Sequence, residues 1–205
     1  MSETYPGKYL IGLTGNIAVG KSLVRTLLEE QGAATIDADR VAHQIMRKGE
    51  AAYADIVAAF GAGILDDQGE IKRAALGEIV FNDAARLRQL EAISHPAIRR
   101  RIDQLIREAD ANVVVIEAIK LLEGDLKRKV DSVWVVDASP EMQLRRLQAK
   151  RGMSEIEARR RIALQNPQAD KLRQADVIIQ NDGPVDAARA QVARAWRDIS
   201  PTYRP

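Results

Sequence analysis

Cysteine is absent from all 205 residues, which excludes a disulfide framework, a thiolate metal site and a thiol nucleophile. No apolar run is long enough to span a bilayer, and the N-terminus shows no signal-peptide pattern. No membrane partner is therefore expected, and the expected compartment is the cytoplasm. An excess of one charge is missing too. The chain has 31 basic against 29 acidic residues, for a formal net charge of +2. That balance gives no electrostatic basis for nucleic acid as a main partner, although basic residues cluster between Arg145 and Arg161. Internal repeats and low-complexity tracts are also lacking. What remains is an ordinary globular composition, 46% hydrophobic and 29% charged, at a length that suits one core-forming domain.

What is present starts early. Lys8-Tyr9-Leu10-Ile11-Gly12-Leu13-Thr14 is a short apolar segment with strand character, and Leu23 to Glu30 has apolar residues at helical spacing. Between them runs Gly15-Asn16-Ile17-Ala18-Val19-Gly20-Lys21-Ser22. Strand, then G-x-x-x-x-G-K-S, then helix is the context of a phosphate-binding loop. Gly15 and Gly20 let the backbone curl so that successive N–H groups face one hollow. The helix opening near Lys21 adds the positive end of its dipole, so the hollow suits a polyphosphate. Lys21 can reach the β- and γ-phosphates of a nucleoside triphosphate, and the Ser22 hydroxyl can ligate the accompanying Mg²⁺.

The rest of the chain supplies candidates for the chemistry around that loop. Met1 to Gly7 is polar, ends in Pro6-Gly7 and reads as a flexible lead-in. Ala34-Thr35-Ile36 forms a second strand and runs into Asp37-Ala38-Asp39-Arg40. Asp37 and Asp39 fall where ligand-facing loops lie in such folds, at the carboxyl edge of a sheet; Asp39 as a simple cap of the helix from Arg40 is the structural alternative. Residues 41–110 are mostly helical in pattern, with Asp66-x-x-Gly69 reading as a turn. One helix is expected to end at Ser94-His95-Pro96 and a second to run from Ala97 to Glu108 with Arg99, Arg100, Arg101 and Arg107. His95 can bind a phosphate or cap the junction, and Arg99 or a neighbour can meet an anionic substrate.

Val113-Val114-Val115-Ile116 is the most strand-like run and ends in Glu117, a candidate for a Mg²⁺ or substrate carboxylate. Ser132 to Val136 is a fourth strand, closed by Asp137. Pro140 opens a helix carrying Arg145, Arg146, Lys150 and Arg151. Ser154-Glu155-Ile156-Glu157 is a capping box for the next. This basic hairpin reads as a lid over transferring phosphates or, alternatively, as an exposed helical pair. Asp176 to Gln180 is a fifth strand, and Asn181-Asp182-Gly183-Pro184 turns into a last amphipathic helix. Five strands separated by helices predict an α/β fold with a parallel sheet covered on both faces.

These residues resemble the dephospho-coenzyme A kinases over nearly the whole chain. Gly12-Leu13-Thr14-Gly15 with Gly20-Lys21-Ser22, Asp37-Ala38-Asp39, Val80-Phe81-Asn82-Asp83 and Leu90-Glu91-Ala92-Ile93-Ser94-His95-Pro96 are similar to that family's motifs. So are Gln143-Leu144-Arg145-Arg146-Leu147, Arg151, and Asp176 to Ile179 with Asn181-Asp182-Gly183. The resemblance implies a three-layer P-loop kinase fold with a five-stranded parallel sheet: a core of residues 8–40, 111–140 and 166–205, a helical substrate-binding subdomain over about 41–110, and a lid over about 141–165. It also implies ATP-dependent phosphorylation of the ribose 3′-hydroxyl of dephospho-CoA, the last step of coenzyme A synthesis. By carry-over, Ala18, Val19, Gly20, Lys21, Ser22 and Leu23 contact ATP phosphates, Asp39 rather than Asp37 is the base, and Arg146 or Arg151 is the lid arginine. Asn181 to Gly183 would then lie beside the adenine.

Two departures stand out. Asn16 and Val19 replace a usual glycine and serine, and Ile116-Glu117-Ala118-Ile119 replaces the family's I-P-L-L, leaving the role of Glu117 open. Two rival readings share the same loop: another P-loop kinase acting on a nucleoside monophosphate or small metabolite, and a non-catalytic ATP-binding regulatory protein.

Overall fold

The computed structural model describes residues 5–203. Among them, β1 (Tyr9–Thr14), β2 (Ala34–Asp37), β3 (Val113–Glu117), β4 (Ser132–Asp137) and β5 (Val177–Gln180) form one sheet in the order β2-β3-β1-β4-β5. β1 pairs in parallel with β3 and β4, and β4 in parallel with β5. The helices are α1 (Lys21–Glu30), α2 (Ala38–Gln44), α3 (Tyr53–Phe60), α4 (Arg73–Phe81), α5 (Ala84–Glu108), α6 (Pro140–Arg151), α7 (Glu155–Ala163), α8 (Gln168–Leu172) and α9 (Val185–Asp198). No described helix is long and apolar enough to cross a membrane. The chain divides into two compact units, one spanning Asp37–Glu108 and the other formed by the residues on either side of it.

In the sheet-bearing unit the central strands are apolar on both faces, as parallel strands between covering layers must be. Ile11, Leu13, Val113, Val115, Trp134 and Val136 share a cluster with Val24, Leu27 and Leu28 of α1 and Val192 and Trp196 of α9. Leu10, Val114, Ile116, Val133 and Val135, which alternate with them, are equally buried. On that second face Gly12 leaves room for Leu121: a Cβ there would sit 2.6 Å from Leu121 Cδ2. Two carboxylates complete the ladder at the strand starts. Asp131 Oδ2 accepts the Leu10 N–H at 2.8 Å, and Asp176 Oδ2 accepts the Val133 N–H at 2.7 Å.

The lead-in is more ordered than its composition suggests. Its first four residues lie outside the described residues, but Tyr5 is 3% exposed and its carbonyl accepts the Lys8 N–H at 3.1 Å. An aromatic ring that can be buried outweighs the polar neighbours. The hairpin of α6 and α7 begins as its sequence demands. Ser139 Oγ accepts the Met142 N–H, Pro140 opens α6, Gly152 ends it at φ +61°, and Ser154 Oγ accepts the Glu157 N–H.

In the Asp37–Glu108 unit, α5 packs against α2, α3 and α4. The capping residue of α2 is Asp37, not Asp39: Asp37 Oδ1 accepts the Arg40 N–H at 2.9 Å. β2 runs as far as Asp37 and the helix starts at the next residue, so Asp39 lies within the first turn. Asp66-x-x-Gly69 is a turn, closed by Asp66 Oδ1 accepting the N–H groups of Gln68 and Glu70.

The expected junction at Pro96 does not exist. α5 is a single 25-residue helix that runs through the proline, and His95 is an exposed mid-helix residue. Proline lacks the N–H that would bond the Ala92 carbonyl and costs a helix interior about 3 kcal/mol relative to alanine. Burial of Ser94, Ala97, Ile102 and Ile106 along the helix spans both sides of the break and holds it straight through. Pro96→Ala is therefore expected to stabilise this unit by about 1–3 kcal/mol, read as a higher urea midpoint.

Candidate active site

The loop after β1 turns through three left-handed positions, Gly15 at φ +148°, Ala18 at +59° and Gly20 at +101°. Only Ala18 bears a side chain there, the smallest possible. Gly20 caps α1 without a side-chain hydrogen bond, and the first turn of α1 holds no acidic residue. The helix thus presents its orphan N–H groups and its positive pole to whatever enters the hollow in front of it.

A backbone whose amides face a ligand turns carbonyls away from it, and those carbonyls need donors. Arg146 Nη1 donates to Val19 O at 2.8 Å and Ala18 O at 3.2 Å, while its Nη2 donates to Asn181 O at 2.6 Å. Asn181 is 2% exposed, and its Nδ2 donates to Val19 O at 2.8 Å. Gly20 is forced to be glycine by that same amide, because a Cβ would come within 2.0 Å of Asn181 Nδ2. Lys21 Nζ rests on the carbonyls of Gly15 at 3.0 Å and Asn16 at 3.4 Å.

The near side of the loop is tied to the segment after α7. Ile17 N–H donates to Gln165 Oε1 at 2.7 Å, and Asn16 N–H to Gln168 Oε1 at 3.1 Å. The Asn16 side chain, in a residue 5% exposed, donates to Asn166 O and accepts from Lys171 Nζ at 3.0 Å. Burial lowers the pKa of the Lys171 ammonium below the ordinary lysine value. The departure at position 16 is thus a polar key. Asn16 fills with hydrogen bonds the place where glycine would leave Lys171 without an acceptor.

These elements frame a cleft of about 440 Å³ lined by Ala18, Gly20, Lys21, Ser22 and Leu23 on the loop and α1 side. Glu117 enters from the end of β3, Arg146, Lys150 and Arg151 from α6, and Asn181 and Gly183 from the turn after β5. Glu117 Oε2 meets Arg25 Nη1 at 3.3 Å. Lys150 and Arg151 are exposed, so their charge is available to the cleft, whereas the Arg146 guanidinium is occupied with carbonyls. Beside Gly183, the carboxyl of Asp182 is held below the usual carboxylate range by hydrogen bonds from the Ser139 side chain and N–H.

The structure therefore brings together ten of the residues singled out in the sequence. Gly15 and Val19 shape the loop from behind; Val19 is wholly buried. Asp37, Asp39, His95 and Arg99 belong to the Asp37–Glu108 unit. Reading the sequence missed Arg25 and named Lys150 only as part of the basic hairpin, although each sits four residues past a chosen residue on its own helix, Lys21 and Arg146. It also missed Gln168 and Lys171, for which no local pattern exists.

A family model described as dephospho-CoA kinase matches residues 9–187. A dephospho-CoA kinase of Symbiobacterium thermophilum is 47% identical over 192 residues, covering 92% of this chain and 80% of the relative. One from Geobacillus kaustophilus is 46% identical over 186 residues, covering 89% and 92%. Among solved structures, the Thermus thermophilus protein TT1252 superposes with a TM-score of 0.83 at 28% identity, covering 94% of this chain and 98% of that one. Dephospho-CoA kinase from Campylobacter jejuni gives 0.61, also at 28%, covering 95% and 98%.

Two substitutions test the construction of the loop. Gly20→Ala places a methyl on Asn181 and on a left-handed backbone, and is expected to abolish measurable ATP binding in calorimetric titration. Lys171→Ala leaves the buried Asn16 oxygen without its donor, a loss of about 1–3 kcal/mol, expected as a fall of several degrees in Tm.

Proposed function

The chain belongs to the dephospho-CoA kinase family, and from that we propose that it transfers the γ-phosphoryl group of ATP to the ribose 3′-hydroxyl of dephospho-CoA. The products are coenzyme A and ADP, as in the last step of coenzyme A synthesis. The observation that carries this reading is the cleft in which Lys21 and Ser22, at the uncapped start of α1, face the cations of α6.

Each residue has a defined task. The loop amides and the N-terminus of α1 bind the triphosphate. Lys21 leaves the Gly15 carbonyl for the β- and γ-phosphates, trading one acceptor for a more negative one. Lys150 and Arg151 neutralise charge that spreads over the γ-phosphoryl oxygens, and Arg146 keeps the loop in the shape that receives them. Asn181 and Gly183 border the nucleoside. Asp39 accepts the proton of the attacking hydroxyl as the new O–P bond forms and the bond from the γ-phosphorus to the bridging oxygen breaks. Asp39 is preferred to Asp37 on the family resemblance, and Asp37 has a structural task of its own in capping α2 through the Arg40 N–H. His95 and Arg99, four residues apart on α5 and so on one face of it, are candidates for holding the acceptor.

The donor set suits Mg²⁺ in its usual kinase form. Among the described residues no group of three acidic or histidine side chains can cage a metal, and the cleft offers the Ser22 hydroxyl and the Glu117 carboxylate. Mg²⁺ takes few protein ligands, the remainder being phosphate oxygens and water. When bound it neutralises charge on the β- and γ-phosphates.

Incubation with ATP and Mg²⁺ across a panel of acceptors is expected to label dephospho-CoA and not nucleoside monophosphates or small sugar acids; label on one of those instead would overturn the assignment. Asp39→Asn is expected to lower kcat about 10²–10⁴-fold while the Kd for ATP stays within about twofold. Lys21→Ala is expected to impair both.

A further inference from the structure

A second anion-binding pocket lies within the Asp37–Glu108 unit. It is a cavity of about 320 Å³ lined by Arg40, His43, Arg47, Glu70 and Arg73. Arg40 and His43 sit three apart on α2, Arg47 follows in the turn beyond it, and Arg73 is the first residue of α4. The positive charge is not spent on internal partners. Among the described residues neither Arg40 nor Arg47 has an ion-pair partner, and the one lining carboxylate, Glu70, accepts the Lys48 N–H at 3.2 Å. Arg73 Nη1 lies 2.9 Å from His43 Nε2. A guanidinium only donates, so the imidazole nitrogen is the acceptor in this contact, and Arg73 is held by its neighbour.

Three arginines against one carboxylate give the pocket a surplus of two positive charges, as much as the formal net charge of the whole chain. Gathering like charges around a hollow destabilises a fold unless an anion compensates. Guanidinium groups, with their planar forked donors, match phosphate oxygens better than ammonium groups do. Several guanidinium groups lining one hollow suit two linked phosphates rather than one.

We infer that this pocket binds the internal diphosphate of the acceptor. The inference rests on the proposed reaction for the identity of the acceptor, whose adenosine and pantetheine halves are joined by a diphosphate. Phosphates of ATP are accounted for separately by the loop after β1, in the other unit.

The test is calorimetric titration with the loop saturated by a non-hydrolysable ATP analogue and Mg²⁺. Wild type, Arg40→Gln/Arg47→Gln and Arg40→Lys/Arg47→Lys are each titrated with dephospho-CoA, with adenosine and with inorganic pyrophosphate. The glutamine pair is expected to weaken dephospho-CoA and pyrophosphate about 10–100-fold, from the loss of two charge-assisted contacts. The lysine pair, which keeps the charge and covers any folding defect of the glutamine pair, is expected to retain more of the affinity than the glutamine pair and less than wild type. Adenosine, which has no phosphate, binds all three proteins alike. Dephospho-CoA affinity within about twofold of wild type in the glutamine pair, or an equal loss for adenosine, overturns the inference. A wild type that binds pyrophosphate in an arginine-dependent way yet fails to phosphorylate dephospho-CoA would instead sink the proposed reaction and leave the anion pocket standing.

Discussion

A phosphate loop has to expose its amides, and that obligation dictates much of the architecture around it. Its carbonyls turn outward into protein and must be met there by donors with no other task. Arg146 meets two of them and the Asn181 carbonyl besides, and the Asn181 side-chain amide adds another bond to Val19. A helix of the basic hairpin and the turn after β5 are thus drawn to one point by the backbone chemistry of a segment far away in sequence. The same crowding explains why position 20 admits no side chain.

Anions are handled by two different physical means in the two units. Around the loop after β1, fixed backbone dipoles and a helix terminus supply the field, with Lys21, Lys150 and Arg151 as movable charges. In the Asp37–Glu108 unit the field comes from side-chain guanidinium groups on α2, the turn after it and α4. Backbone dipoles cannot be neutralised by a drifting carboxylate and are organised before the ligand arrives. Guanidinium groups are adaptable and suit a ligand that has to be gripped and released.

How much of this could be read in the sequence followed from how local each determinant is. The phosphate loop, the five strands and the caps at Ser139 and Ser154 were legible because each depends on residues within about one turn of each other. Glu117 was legible as the charge that ends the most apolar run. The resemblance offers Arg146 or Arg151 as the arginine facing phosphate, and the Arg146 guanidinium secures carbonyls 127 and 128 residues away, a separation at which no local pattern survives. The helix break at Pro96 was a fair reading of local propensity overridden by packing on both sides of the proline. Asp37 and Asp39 could not be separated as cap and carboxylate, because one residue in the length of β2 exchanges their positions. The arginines at 40, 47 and 73 stayed invisible as a group, being spread over three segments that only the fold collects.

The buried bond between Lys171 and Asn16 has a consequence for descent. A lineage that restored glycine at position 16 would strand an ammonium in the interior, and one that first lost the lysine would strand an amide oxygen. Neither order of single steps is neutral, so the two positions are free to drift only as a pair, through intermediates at 171 that can do without a partner. The loop after β1 therefore passes a second, private constraint to a short helix whose lysine lies 155 residues further along the chain.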